Sequence, residues 1–248
     1  LKKVIEKMPN ESTIFIGDQA NMPYGDRSKE EIISLTRDSV NFLLSKDVKI
    51  IIFGCNTATA VAMSTIQKEV PLQIIGVVQS GALAAARTTE TKNVAVIGTK
   101  ATVNSHSYLK EIQYRDPEIQ VSEFAQPKLA PLAEEDPAEE IKQAVVSESL
   151  APLKNIDYDT LVLGCTHYPL LRDEIVAVVG QDKKIVDPAD QVAQYTYNVL
   201  RRDGLFAADD SDTTHEYYTT GEAKKFTEIT RQWMNDETIV GHHVDAED

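Results

Sequence analysis

Two cysteines are the residues of this 248-residue chain whose type and spacing most clearly suggest chemistry. Cys55 follows the apolar run VKIIIFG in the segment GCNTATA, and Cys165 follows TLVLG in the segment GCTHYPL. A single cysteine after an apolar strand is usually a core residue, because free cysteine is among the most buried residue types. Two cysteines in matched contexts, each followed by a polar pair, form a short internal repeat and indicate an active site instead.

Two thiols on opposite walls of a cleft suit proton transfer at a carbon acid. A thiolate on one face removes the proton, and a thiol on the other face returns one with inverted configuration. Because an unperturbed thiol titrates near about 8.5, modest tuning gives one thiolate and one thiol at neutral pH. The charge that develops on the substrate needs preorganised donors, which could be Asn56, Thr57, Thr166 and His167. This chemistry needs no cofactor and no metal, and we expect neither.

The elements that must position the cysteines follow from short apolar runs rich in β-branched residues. Several runs are apolar on consecutive residues, as in strands buried on both faces of a parallel sheet. Ser28 and Glu31 form a capping-box signature for a helix, and Phe226, Ile229 and Trp233 recur with helical spacing. The alternation predicts an α/β fold with mainly parallel sheets, with strands at 13–17, 48–54, 72–78, 93–98 and 160–164.

The turn-forming segments predict two similar α/β lobes. QSGA (79–82) and VDPAD (186–190) each follow an apolar run and could mark crossings between lobes. The first domain would then be discontinuous, comprising 1–78 and 188–248, and the second would comprise 79–187. Ligands bind at the carboxyl ends of strands in such sheets, where the following helix directs its free N–H groups. We therefore expect the site in the cleft between the lobes, with each cysteine near a helix N-terminus that favours the thiolate.

The charge balance excludes several classes of partner. Lys and Arg total 25 against 39 Asp and Glu, for a net charge of −14, which argues against a nucleic-acid partner and against general attraction to anionic membranes. No apolar run approaches the length of a membrane span, and neither cysteine belongs to a CxxC pair or a zinc pattern. We expect a cytoplasmic protein whose anionic ligand is held by local contacts.

Two polar segments are interpreted as structural and not as functional sites. The acidic segment EEDPAEE (134–140) is interpreted as a solvated helix start, where negative charge is favoured. The tail GHHVDAED (241–248) is polar and expected to fray, which makes His242 and His243 weak metal candidates.

Three motifs together resemble those of the cofactor-independent glutamate racemases, in the aspartate/glutamate racemase superfamily. They are GDQANMPYG (17–25), GCNTATA (54–60) and GCTHYPLL (164–171), and the resemblance runs from Leu1 to about Trp233. It implies two α/β domains, interconversion of L- and D-glutamate for bacterial peptidoglycan synthesis, and a homodimer. Cys55 and Cys165 would be the two acid/base residues.

The resemblance also assigns the neighbouring residues. Asp18 and His167 would tune the two thiols, with Glu134 as a further support residue. From the residues alone, the alternative for Asp18 is a turn residue after a strand. Tyr24 could equally be a packed loop aromatic. The substrate-binding residues implied by the motifs are Tyr24, Gly25, Asn56, Thr57, Thr166 and His167.

The chain also departs from this pattern. Family members begin with a strand leading into an Asp-Ser-Gly motif, whereas Leu1 lies in what resembles the following helix, so about twenty residues are expected to be missing. Asn21 stands where many relatives carry Arg, and Gln79 and Ser80 stand where a Pro often precedes Gly-Ala. Two alternatives remain open: a racemase for aspartate or another acidic amino acid, and a catalytically impaired binding or regulatory relative that lacks the Asp-Ser segment.

Overall fold

A computed structural model describes residues 1–208 and 212–245 of the chain. Its strands are β1 (Thr13–Gly17), β2 (Ile51–Phe53), β3 (Ile74–Gly76), β4 (Asn93–Gly98), β5 (Gln120–Ala125), β6 (Thr160–Gly164), β7 (Lys184–Val186), β8 (His215–Thr219) and β9 (Gly241–His243). Its helices are α1 (Lys2–Lys7), α2 (Lys29–Leu44), α3 (Asn56–Val61), α4 (Met63–Ile66), α5 (Val77–Thr88), α6 (Lys100–Ser105), α7 (Ser107–Arg115), α8 (Leu129–Glu135), α9 (Glu139–Ser149), α10 (Arg172–Val179), α11 (Pro188–Asp203) and α12 (Ala223–Met234).

The four-stranded sheet carries the second cysteine. Its order is β5-β4-β6-β7, and every neighbouring pair is parallel. β4 and β6 lie at its centre and are almost entirely buried, because both faces are covered by helices. Their ends are level, since Gly98 pairs with Gly164. The residues that follow these two glycines therefore lie side by side at the carboxyl edge of the sheet.

Two smaller parallel sheets are built from the two ends of the chain. One has the order β1-β8-β9, and the other pairs β2 with β3. The prediction of an α/β fold with mainly parallel sheets is confirmed. The strands segregate as the predicted domains require, because β4 to β7 share one sheet, but the division at 78 and 187 stays a prediction.

The predicted strand positions hold, with two corrections in length. The predicted runs 13–17, 93–98 and 160–164 coincide with β1, β4 and β6. β2 and β3 are shorter than predicted, because they pair over only three register positions. Val77 already begins α5, so QSGA (79–82) lies within a helix and does not form the crossing turn.

The helix signals are partly confirmed. Ser28 and Glu31 form the capping box at the start of α2, and α12 buries Phe226. The acidic segment 134–140 was interpreted too simply: it contains the end of α8, a left-handed residue at Asp136 and the start of α9. In the described chain, no helix combines the length and apolar character needed to cross a membrane.

The expectation that the whole tail frays is wrong for its first residues. Gly241–His243 form β9, which pairs in parallel with β8. Backbone groups along an open strand edge accept a partner whatever its side chains, which is why polar residues could still form this strand. The last three residues of the tail, 246–248, lie outside the described residues.

Candidate active site

Cys55 is the N-cap residue of α3, directly after β2 and Gly54. Its side chain is open to solvent. Desolvation by the surrounding protein nevertheless raises the pKa of the Cys55 thiol, and the charge of Cys165 raises that pKa further. The backbone N–H groups of Ala58 and Thr57, and the Thr57 hydroxyl, donate to the sulfur and oppose this shift. The two thiols are therefore close enough to interact electrostatically.

Cys165 follows β6 and is buried. The segment after it differs from the prediction of a helix N-terminus, because a 3-10 turn over Tyr168–Leu171 intervenes and α10 begins only at Arg172. A side chain takes the place of the helix here: the sulfur lies 3.8 Å from Nδ1 of His167. The internal repeat thus positions two thiols but supports them differently, with backbone N–H groups at Cys55 and an imidazole at Cys165.

His167 is held on several sides. Its Nε2 lies 2.9 Å from Oε1 of Glu134, which is on α8. The ring of Trp233, on α12, meets the imidazole edge to face with 5.7 Å between centroids. Burial alone would lower the pKa of His167, but hydrogen bonds to Cys165 and Glu134 outweigh burial and raise that pKa to about 9. The imidazole is therefore charged at neutral pH and lies next to the Cys165 sulfur.

Asp18 accepts three hydrogen bonds just after β1. Tyr24 Oη donates at 2.5 Å, Thr220 Oγ1 at 2.6 Å and Asn21 Nδ2 at 2.9 Å. Burial is the main reason why the pKa of Tyr24 lies far above its usual range, followed by the contact with Asp18 and the charge of Cys55. Tyr24 therefore links Asp18 to the surroundings of Cys55, and Asn21 supports Asp18 as a neutral donor.

Gly25 and Thr57 both contact residues at the end of β4. A Cβ atom on Gly25 would lie 2.7 Å from Cβ of Thr99, so only glycine permits this approach. The Thr57 hydroxyl lies 2.9 Å from that of Thr99 and 3.3 Å from that of Thr102. Thr99, the N-cap residue of α6, also accepts from the backbone N–H of Thr102.

Thr99, Thr102 and Tyr108 also belong to this region and were not predicted from the sequence. Thr99 had a usable signal, because a buried strand and a glycine precede it just as they precede both cysteines. Tyr108 is fully buried in α7 and donates its hydroxyl to Oδ1 of Asn56 at 2.6 Å. Its spacing within an amphipathic helix resembles that of an ordinary core residue.

The remaining predicted residues lie near these groups. Asn56 and Thr57 are buried at the start of α3, whereas Thr166 is exposed, with its hydroxyl 3.5 Å from Nδ1 of His167. Across residues 1–208 and 212–245, no cluster of three or more His, Cys, Asp or Glu side chains is arranged to bind a metal ion. What the arrangement offers is two interacting thiols, one charged imidazole and a set of neutral donors, which suits acid/base chemistry.

Comparisons with known proteins identify the family of the chain. Residues 2–196 match the family described as Asp/Glu/Hydantoin racemase. The protein is therefore a racemase, and the chain belongs to the Asp/Glu/hydantoin racemase family.

Within that family, similarity is to glutamate racemases. The chain is 92% identical to the glutamate racemase of Lactobacillus johnsonii, over all of this chain and 93% of that protein. The solved glutamate racemase isoform of Bacillus anthracis has 35% identity and a TM-score of 0.94, covering 99% of this chain and 92% of that one. A glutamate racemase from Francisella tularensis, solved in complex with D-glutamate, has 29% identity and a TM-score of 0.92, with the same two coverages.

Proposed function

We propose that the protein interconverts L-glutamate and D-glutamate by proton transfer at the α-carbon, with Cys55 and Cys165 as the two acid/base residues. The observation that carries the proposal is the pair of thiols at the ends of parallel strands, with backbone N–H groups beside Cys55 and the His167 imidazole beside Cys165. The 92% identity to a glutamate racemase supports the choice of substrate.

The proposed reaction needs only the two thiols to change protonation. One thiolate takes the α-proton, so the C–H bond breaks, an S–H bond forms, and the electron pair spreads into the substrate carboxylate. The opposite thiol then gives its proton to the other face of the carbon and becomes the thiolate. His167 stabilises charge beside Cys165, while the backbone N–H groups of Ala58 and Thr57 do so beside Cys55.

Substrate binding is assigned mainly to neutral donors. The net charge of −14 gives a dicarboxylate no long-range attraction to the protein as a whole. Local hydrogen bonds must therefore hold it, and the charged imidazole of His167 adds one positive group. The proposed binding residues are Tyr24, Gly25, Asn56, Thr57, Thr166 and His167.

A racemisation assay without added metal or cofactor tests the proposal. Purified protein is given D-glutamate or L-glutamate in D2O, and optical rotation and α-deuterium content are followed together. We expect racemisation with deuterium incorporation, which Cys55→Ser and Cys165→Ser each reduce by about 10²-fold or more. Tyr217→Phe, in the buried cluster with Phe226 and Ile239, is the control and should react as wild type does.

The same assay decides between the alternatives. Turnover of aspartate at a higher kcat/KM than glutamate would assign the site to another acidic amino acid. Glutamate binding without any deuterium incorporation would favour a regulatory relative. Retention of the wild-type rate in either cysteine variant would contradict the two-thiol mechanism.

We also propose the cellular setting that the resemblance implies. The enzyme would act as a homodimer in the bacterial cytoplasm and supply D-glutamate for peptidoglycan. Analytical ultracentrifugation should give a mass near twice that of one chain, and expression should relieve the D-glutamate requirement of a bacterium that lacks its own racemase. A monomer, or failure to relieve the requirement despite activity in vitro, would contradict the corresponding part.

A further inference from the structure

Tyr108 connects the segments of both cysteines. Its hydroxyl donates to Oδ1 of Asn56, the residue after Cys55, at 2.6 Å. The other edge of its ring lies against Gly164, the residue before Cys165, where an added Cβ would stand 3.2 Å from Cε2 of Tyr108. One fully buried side chain thus contacts the neighbour of each thiol.

A second glycine, Gly81, also lies against the Tyr108 ring. A Cβ on Gly81, in α5, would lie 3.0 Å from the Tyr108 hydroxyl oxygen and 2.9 Å from Cγ of Pro188. Such distances are shorter than ordinary van der Waals contact, so a larger residue at position 81 would displace the hydroxyl. The ring therefore has little freedom to move, since buried side chains are close-packed.

The hydrogen bond also determines which end of the Asn56 amide is free. An amide has one carbonyl oxygen and one NH2 group. With the oxygen engaged by Tyr108, the NH2 group is the part left to donate to a carboxylate. Burial, together with the charges of Asp187 and Cys165, keeps the pKa of Tyr108 far above its usual range, so the hydroxyl remains a donor.

We propose that Tyr108 is a positioning residue for racemisation: by contacting Gly164 and hydrogen-bonding Asn56, it fixes the Asn56 amide relative to the two thiols. This rests on the proposed function, in which Asn56 binds the substrate. Tyr108 touches neither the substrate nor a sulfur. Its hydroxyl therefore acts on catalysis only through Asn56.

A double-mutant cycle tests this coupling. Tyr108→Phe keeps the ring and removes the hydroxyl, and we expect kcat/KM for glutamate to fall by about 10-fold or more, because small misplacements of binding groups are costly in catalysis. In an Asn56→Ala background the same change should have almost no further effect on kcat/KM, because the amide through which the hydroxyl acts is absent. Tyr217→Phe, another buried tyrosine, is the control and should leave kcat/KM unchanged.

Two further measurements keep the outcome decisive. Replacing Tyr108 by 4-aminophenylalanine restores a donor in the same place and should recover most of the activity. If Tyr108→Phe does not fold, Gly81→Ala displaces the hydroxyl without removing it and should give a loss that likewise disappears with Asn56→Ala.

The possible results separate the two proposals. Additive effects of Tyr108→Phe and Asn56→Ala, or unchanged kcat/KM in Tyr108→Phe, would overturn the role of Tyr108 while leaving racemisation intact. A wild-type protein without racemase activity would instead overturn the proposed function.

Discussion

Nε2 of His167 lies 2.9 Å from a carboxylate oxygen of Glu134. With the Cys165 sulfur on the other ring nitrogen, the imidazole is shared between two groups that favour its charged form. At Cys55 the hydrogen bonds come instead from the backbone N–H groups of Ala58 and Thr57 and from the Thr57 side chain, all of which are neutral. The two faces of the proposed reaction are therefore chemically unlike, although the reaction itself is symmetric.

Glu134→Gln should weaken the charged state of His167. The pKa of His167 is raised to about 9, and the Glu134 hydrogen bond is one of the causes. Its loss lowers that pKa, so activity should decline at a lower pH on the alkaline side of the profile. Because Glu134 is partly exposed, we expect a charged hydrogen bond at the weak end of its range, equivalent to about one pKa unit. The fall in kcat should therefore be only about twofold at pH 8 and should approach about tenfold near pH 10.

The measurement is the pH dependence of kcat in both directions. Glu139→Gln, in the first turn of α9, is a suitable control and should keep the wild-type profile. An alkaline limb that does not move in Glu134→Gln would show that Glu134 does not set the charge of His167.

The fluorescence of the sole tryptophan should report the same titration. Trp233 meets His167 at 5.7 Å, and a protonated imidazole quenches indole emission at such range. Emission should therefore rise with pH, with a midpoint near 9, as His167 loses its proton. The transition should be absent in His167→Asn and displaced to lower pH in Glu134→Gln. The same transition in His167→Asn would assign it to another group.

Alkylation should reveal the influence of one thiol on the other. Burial raises the pKa of Cys55 most, and the charge of Cys165 adds to the shift. The pH midpoint for iodoacetamide modification of Cys55, followed by peptide mass spectrometry, should therefore move to lower pH in Cys165→Ser. Cys165→Asp retains a negative charge and should keep the midpoint high. Equal midpoints in the two variants would argue against direct electrostatic interaction.

Asp159 should stabilise the loop between α5 and β4. Burial would raise its pKa, but hydrogen bonds from Thr89, Thr160 and the backbone N–H groups of Thr91 and Glu90 outweigh burial and hold that pKa well below its usual range. The contribution is therefore fully present above the unfolded-state pKa of about 3.9 and is lost as the pH falls through the folded-state value.

We expect Asp159→Ala to lower the free energy of unfolding by about 1–2 kcal/mol at pH 7, as for a few partly exposed hydrogen bonds. The difference from wild type should shrink as the pH falls below about 4. Urea denaturation at several pH values measures it, with exposed Asp157→Ala as the control. A difference that stays constant with pH would mean that the carboxylate charge is not involved.

Local sequence signals predicted most of the framework. The long buried strands β4 and β6 were recognised because continuous β-branched runs have few alternative structures. The start of α5 at Val77 was missed, because an apolar run that crosses from strand into helix contains no break in hydrophobicity. Cys55 and Cys165 were recognisable from their repeated context, which is local.

The partners of these residues could not be predicted in the same way. Tyr108 reaches Asn56 across 52 positions of the chain. Trp233 reaches His167 from α12, although its helical spacing indicated only a core face. Such contacts depend on how the sheets and helices pack against each other. The hydrophobic periodicity within one element does not indicate this packing.

The close approach of Gly25 to Thr99 has a consequence for how solutes reach the thiols. The contact leaves no room for a side chain, and Asp26 and Lys100 form an ion pair beside it at 3.1 Å. Packed atoms therefore leave no opening at the edge of the site where Gly25 meets Thr99. We expect the entrance to open along the margin formed by α12, where Trp233 keeps 39% of its surface exposed. The indole, which contacts His167, would then lie at this entrance.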